Sequence, residues 1–392
     1  MHWQRTVWLL AMACMFSGAS YTMLTPFLPL YLLEIGVTAE GVHWWTGFIF
    51  SVTFFVAAVM APYWGRRADH SGKRRMVLRA GFSLAAVYFL GAFVRNPWEL
   101  LVVRLLQGFA NGFVPASLAI VASTSPPERL GSNLGFMQTA LLLGGIAGPL
   151  AGGALSHVFG MRMSFVVAAA VIFIGTLAVA AWVKEPPQTS TSRQGSVLDD
   201  FREAWNNKTL MRMLFLMFGV QLVTLVLQPL LALFVAELQG DLEGVALTAG
   251  IVCSVAGIAG AVAAPLWGRL GQKKGFALIL QIAFLGAGVW NALQYFASDI
   301  VQFSVLQALF GFFVVGVFPA INTIAVQSSN ENFRGRLFGL TTTANQLGCM
   351  TGPLIGGFIS ASWGIRPVFL LTAGLLLFLA VLSRNGKMHR QH

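Results

Sequence analysis

The chain has 392 residues, 56% of them hydrophobic and only 10% charged, against roughly 25% charged in an average soluble domain. So little charge cannot cover a water-soluble fold of this length. The net charge of +11 would suit a nucleic-acid partner, but most of the 25 basic residues gather at alternate connections between apolar runs, which is the signature of a membrane.

Apolar runs of about 20 residues recur from end to end, each able to cross a hydrocarbon core of roughly 30 Å as a helix. In chain order they predict twelve spans: 6–33, 44–64, 76–94, 99–123, 133–156, 163–183, 209–236, 246–267, 276–296, 300–327, 335–360 and 366–383. The runs are unbroken, not alternating, so helix is expected and outer-membrane barrel strands are not. The first run is too long for a signal-peptide core and lacks a small-residue cleavage site after it, so it is expected to remain as a span. Arg66, Arg67, Lys73, Arg74, Arg75 and Arg79 surround the second connection. Lys184, Arg193, Arg202, Lys208 and Arg212 surround the sixth, Arg269, Lys273 and Lys274 the eighth, and Arg334 and Arg336 the tenth. Odd connections carry only Arg95, Arg162 and Arg366. This bias predicts that both termini are cytoplasmic. Cys14, Cys253 and Cys349 fall within spans without metal-ligand spacing, so small buried apolar roles are expected, with no metal and no disulfide framework.

An internal repeat sets the architecture. Ala61-Pro62-Tyr63-Trp64-Gly65-Arg66 returns as Ala264-Pro265-Leu266-Trp267-Gly268-Arg269, and GGIAGPLAGG from Gly144 returns as GCMTGPLIGG from Gly348. Pro26 and Glu34 pair with Pro229 and Glu237, and Gly160-Met161-Arg162 with Gly364-Ile365-Arg366. The expected fold class is therefore all-α and integral to the membrane, with twelve transmembrane helices in two pseudo-symmetric six-helix bundles. The first bundle is placed at 1–183, a cytoplasmic linker at 184–208, the second bundle at 209–383 and a cytoplasmic tail at 384–392. The linker is polar, with Pro186, Pro187 and a Ser/Thr run, and suits a solvated connection with a short surface helix near Leu198 to Trp205.

Two parallel six-helix halves are a build in which substrate sits near the midplane between rocking bundles. Four stretches, PFLPLY from Pro26, GRRADHSGKRR from Gly65, RLLQGFANG from Arg104 and GGIAGPLAGG from Gly144, carry a resemblance to the major facilitator superfamily, in its twelve-span drug:proton antiporter branch. The resemblance implies a secondary active multidrug efflux transporter of the bacterial inner membrane. It would exchange amphipathic small molecules for protons by alternating access, as a monomer without cofactor or nucleic-acid partner. A proton-coupled uptake symporter for a metabolite or sugar shares the fold and stays open as the alternative. No span carries a His/Asp/Glu metal cluster or a nucleophile-base pairing, and no loop reads as a nucleotide-binding sequence, so an enzyme is not expected.

The resemblance also implies roles. Asp69, between Gly65 and Gly72, would latch the halves by meeting Arg129 and the helix start near Gly335, while Gly65 and Gly72 allow the tight reversal between helices. His70 and, in the second copy, Gln272 depart from the family pattern, so the latch would belong to the first half. Arg104, with Gln107, Gly108 and Gly112, matches the motif tied to proton coupling. A buried guanidinium is functional by default, unless Arg104 lies shallow enough to snorkel to the outer interface. Gly144, Gly148, Pro149, Gly152 and Gly153 match the pattern that marks antiporters; close helix packing is the plainer role. All fourteen acids fall at span ends or in loops, and the symmetry-matched Glu34 and Glu237 are the candidate protonation sites. Candidate substrate residues are Tyr21, Met23, Phe48, Asn111, Met137, Gln138, Gln221, Gln228, Asn322 and Asn345, together with Phe54, Phe55, Phe318 and Gln346. Amides in hydrocarbon need partners, and soft apolar walls suit several ligands. Such a set, lacking a midplane carboxylate, predicts neutral, zwitterionic or anionic amphipaths at least as readily as cations.

Overall fold

The computed structural model describes residues 2–184, 205, 207–329 and 334–384. Among them every regular element is helical. The first stretch holds α1 (His2–Leu24), α2 (Leu28–Glu34), α3 (Val42–Ser71), α4 (Lys73–Gly91), α5 (Pro97–Ala110), α6 (Phe113–Thr124), α7 (Leu130–Phe159) and α8 (Met161–Trp182). The second holds α9 (Lys208–Leu227), α10 (Leu231–Gln239), α11 (Val245–Lys274), α12 (Phe276–Leu293), α13 (Ile300–Val314), α14 (Val317–Gln327), α15 (Arg334–Trp363) and α16 (Arg366–Arg384). Most of the predicted linker and tail, including the surface helix near Leu198, lies outside the described residues.

Among the described residues, ten helical rods are long and apolar enough to cross a membrane. The third and eleventh predicted spans are also helices, α4 and α15, but fall short on apolarity. α4 starts with Lys73, Arg74, Arg75 and Arg79, and α15 carries Thr341, Thr342, Thr343, Asn345 and Gln346 through its first half. Exposed Phe, Leu, Val and Trp side chains stud the surface, which in water would be a liability and in lipid is the normal outer face. The chain is a multi-pass membrane protein.

Four spans that read as unbroken runs are interrupted. Pro26 sits in a 3-10 turn over Thr25–Phe27 between α1 and α2. Pro229 lies between α9 and α10. α5 and α6 part at Asn111 and Gly112, and α13 and α14 at Val315 and Gly316, each four residues or fewer before Pro115 or Pro319. A proline ring clashes with the carbonyl four residues earlier and removes a donor, so each interruption has a local cause.

By contacts the chain forms two compact units, residues 1–191 with 231–254, and residues 192–230 with 255–392. In the first unit α1 packs on α6, α7 and α8, while α4 packs on α5, α6 and α8. The second unit repeats the scheme with α9 on α14, α15 and α16, and α12 on α13, α14 and α16. The repeat in sequence is therefore a repeat in packing.

The glycines of α7 explain its contact with α1. A Cβ at Gly144 would strike the Met15 carbonyl, one at Gly148 would come 2.6 Å from the Ala19 carbonyl, and one at Gly152 would strike the Met23 carbonyl. Spaced four residues apart on both helices, they form one close seam. Gly348, Gly352 and Gly356 of α15 meet the Phe218, Leu222 and Val226 carbonyls of α9 in the same way, at 2.6, 2.6 and 2.9 Å from the added Cβ. Residues 231–254 join the first unit through a third glycine contact: Gly153 faces the Ala246 backbone, Gly250 faces the Pro149 carbonyl, and Ser254 Oγ donates to Ile146 O at 2.8 Å.

Candidate functional site

Asn96 opens α5: its side chain accepts from Glu99 N at 2.9 Å, and Pro97 takes the first helical position. From this capped start α5 carries Arg104, Gln107 and Gly108 along one buried face. Gly108 lets α5 lie against α3, since an added Cβ would stand 2.5 Å from the Thr53 carbonyl. Thr53 Oγ1 in turn donates to Arg104 O at 3.2 Å.

Arg104 is only 3% exposed, which rules out snorkelling to an interface. Its Nη1 donates to Gln107 Oε1 at 2.5 Å, and Gln107 Nε2 donates to the Tyr88 hydroxyl of α4 at 3.3 Å. The guanidinium lies 5.0 Å from the Phe50 ring centroid, and Tyr21 and Tyr88 are its electrostatic neighbours. Its Nε is buried without a partner. Charge-assisted hydrogen bonding and the aromatic face offset part of the desolvation. The position matched by the repeat is Gln307, which is also buried and whose Oε1 is unpartnered. Only the first unit places a cation there.

Glu34 and Glu237 are both exposed at the ends of α2 and α10, two helices that touch within the first unit. Glu237 is an electrostatic neighbour of His43, whose Nδ1 is buried and unpartnered. The expected latch falls on Asp69, whose side chain lies outside those described; its backbone is in the last turn of α3. Gly65 lies inside α3, so the reversal expected at both glycines is made by Gly72 alone, at φ 96°. Arg129 is exposed at the start of α7, 5.9 Å above Trp3, and lines a groove of about 550 Å³ with Trp3, Arg5, Trp8, Ser132 and Asn133.

Of the candidate substrate residues, Phe48, Asn111 and Gln138 are exposed and Tyr21, Gln221, Gln228, Asn322 and Asn345 half-buried. Met23 and Met137 are buried, at 4% and 0% exposure, and pack the helices of the first unit instead of lining open space. Gln221 and Asn345 are brought together by a residue sequence reasoning set aside as apolar filler. Gln221 Nε2 donates to Cys349 Sγ at 3.1 Å, and Cys349 Sγ donates to Asn345 Oδ1 at 3.6 Å. Tyr88 and Arg79 were also missed. Tyr88 is the one tyrosine of its span, a legible signal for a polar partner. Arg79 lies six residues past Lys73, or about 9 Å along the helix at 1.5 Å per residue, too deep to belong only to the basic connection.

Residues 10–290 and 229–385 match the family model of the Major Facilitator Superfamily. Over all 392 residues, covering 97% of the relatives' length, the chain is 33% identical to the multidrug resistance protein MdtG of Salmonella arizonae and to that of Salmonella typhimurium. Among solved structures it is similar to the nucleoside transporter NupG, with a TM-score of 0.78 at 17% identity over 96% of this chain and 98% of that one. It is also similar to the human organic anion transporter MFSD10 (TETRAN), with a TM-score of 0.72 at 19% identity over 98% of this chain and 100% of that one. The family model and the full-length relatives agree: this chain belongs to the Major Facilitator Superfamily and is a transporter of small molecules, not an enzyme.

Proposed function

We propose that the chain is a multidrug exporter of the bacterial inner membrane that trades amphipathic small molecules for protons by alternating access, as a monomer with both termini cytoplasmic. The observation that carries this reading is the 33% identity to MdtG multidrug resistance proteins along the whole chain. The glycine seam of α7 supports it, since a rigid contact between α1 and α7 keeps a bundle intact while access changes. Proton coupling is assigned to Arg104 in its buried network, to Asp69, and to Glu34 and Glu237 where protons enter or leave at the exposed helix ends. Substrate is assigned to the amide and aromatic groups around Tyr21, Asn111, Gln221 and Asn345. With Arg104 buried beside Gln107, Tyr21 and Tyr88, neutral, zwitterionic or anionic amphipaths are expected at least as readily as cations.

Transport in inverted membrane vesicles tests the reading. Ethidium, Nile red and carboxyfluorescein supply a permanent cation, a neutral dye and an anion. Accumulation of Nile red or carboxyfluorescein on acidifying the lumen is the expected result. Glu34→Gln, Glu237→Gln, Asp69→Asn and Arg104→Gln then identify the coupling group as the variant that retains exchange but loses gradient-driven pumping. Movement of ethidium alone removes the charge preference. No accumulation in vesicles, with uptake by whole cells, replaces the exporter by an uptake symporter.

A further inference from the structure

The break between α5 and α6, inside an apolar span, leaves backbone groups without their helical partners, and other protein groups meet them. Asn111 leaves the helix at φ −56° and ψ 161°, and Gly112 takes φ 122° before α6 starts at Phe113. A φ of 122° is open to glycine and strained for other residues. Asn111 Oδ1 accepts from Gly112 N at 2.7 Å. The carbonyls are met from two other helices. Trp64 Nε1 of α3 donates to Phe109 O at 2.9 Å. Arg79 of α4 donates to the same oxygen through Nη1 at 3.3 Å and to Asn111 O through Nη2 at 2.9 Å. Its guanidinium carbon lies 3.6 Å over the Trp64 ring. Arginine suits the place: its planar fork spans two carbonyls, its face stacks on indole, and its charge complements a helix C-terminus.

The repeat supplies a comparison inside the same chain. Trp267, the counterpart of Trp64, donates to Phe312 O at 2.8 Å, and Pro319 matches Pro115. Ile282 stands where Arg79 would. There the chain passes from α13 to α14 through Val315 and Gly316 at φ −63° and −69°, never leaving the right-handed helical region. Val315 N still donates to Gly311 O at 3.3 Å and Gly316 N to Phe313 O at 3.1 Å. An indole with a proline gives a bend, whereas an indole, a proline and a guanidinium give a full break.

We propose that Arg79 is a positioning residue for transport: stacked on Trp64, it holds the fourth span open at Asn111 and Gly112. α5, with the Arg104 network, and α6 then move as separate bodies during the transport cycle. This rests on the family's transport activity and on neither the direction of transport nor the driving ion.

Two measurements on the full chain test it. In Arg79→Ile, which copies the second unit, hydrogen exchange at the amides of residues 111–114 slows by about tenfold as they regain helical partners. This arm needs no substrate, so its outcome is independent of the export assay. For whichever of the three dyes the wild type moves fastest, Arg79→Ile lowers the maximal rate about tenfold and leaves KM within about threefold, the pattern of an impaired conformational step. Arg79→Lys keeps an intermediate rate, and Trp64→Phe, which retains the stacked guanidinium, loses less than Arg79→Lys. Unchanged exchange at residues 111–114, a wild-type maximal rate in Arg79→Ile, or a greater loss in Trp64→Phe than in Arg79→Lys overturns the proposal. Should Arg79→Ile fail to fold, the comparison of Arg79→Lys with Trp64→Phe decides it.

Discussion

Arg104 and Arg79 show how far a single residue can be read from sequence. Arg104 stands alone in an apolar run, and its importance follows from the cost of burying charge. What the run does not show is its partner. Gln107 lies one turn on, and its side-chain oxygen is the acceptor for the buried Nη1. Removing that acceptor leaves a buried charged donor unsatisfied, which typically costs about 1–3 kcal/mol or more. Gln107→Leu is therefore expected to lower thermal stability in detergent severely, while Gln107→Glu, which still accepts, keeps most of it. Equal melting of the leucine variant and the wild type would mean that Arg104 is neutralised in some other way. Arg79 is legible only in part, because Lys73, Arg74 and Arg75 lie within six residues of it and a basic connection explains them all. Its distinct role depends on where Phe109 and Asn111 point their carbonyls, which no spacing rule gives. Two of the three arginines that break the charge bias, Arg162 and Arg366, have a similar cause. Arg162 donates to Val94 O at 3.3 Å, and Arg366 donates to Tyr295 O and Ala297 O at 3.0 and 2.9 Å, each tying the start of one helix to the chain end of another.

At the scale of the element, helices were legible because apolar run length survives any local detail. Interruptions were less so. Pro26 and Pro229 stood out as repeat partners, yet nothing in a hydropathy profile separates a bent span from two helices. The glycine pattern of α7 resembles a family mark, and its physical content is the seam with α1. Within that helix the glycines are not equivalent. An added Cβ at Gly148 would meet the Ala19 carbonyl at 2.6 Å, whereas one at Gly145 would meet nothing within 4 Å. Gly145→Ala is expected to leave stability unchanged or raise it by about 0.5–1 kcal/mol through helix propensity. Gly148→Ala is expected to lower it by about 1–3 kcal/mol, because backbone carbonyls cannot step aside as a flexible side chain can. Melting curves of the two purified variants measure the difference. Similar behaviour would remove the seam as the reason for the pattern.

At the scale of the molecule, the repeat predicted two copies of one packing scheme, and the pairs of α1 with α7 and α9 with α15 carry it most plainly. The number of crossings is harder, because α4 and α15 are less apolar than the other ten rods. A helix of 19 residues such as Lys73–Gly91 is about 28 Å long at 1.5 Å per residue, close to the thickness of a hydrocarbon core. Its charges sit at one end, where Lys73 Nζ donates to Ala119 O at 3.4 Å and Arg74 Nη2 to Ala180 O at 2.5 Å. Polar load gathered at one end lowers an average without preventing a crossing, since long basic side chains reach the interface or bond exposed carbonyls. α4 is therefore expected to span. Ten crossings and twelve would leave the termini on the same side, so terminal tags cannot distinguish them, but the two ends of α4 can. In a chain with Cys14, Cys253 and Cys349 replaced, Ser71→Cys is expected to react with an impermeant maleimide only in inverted vesicles, and Asn96→Cys only in intact cells. Labelling of both from one side would leave α4 lying along the membrane and would break the correspondence between the two halves at its third helix.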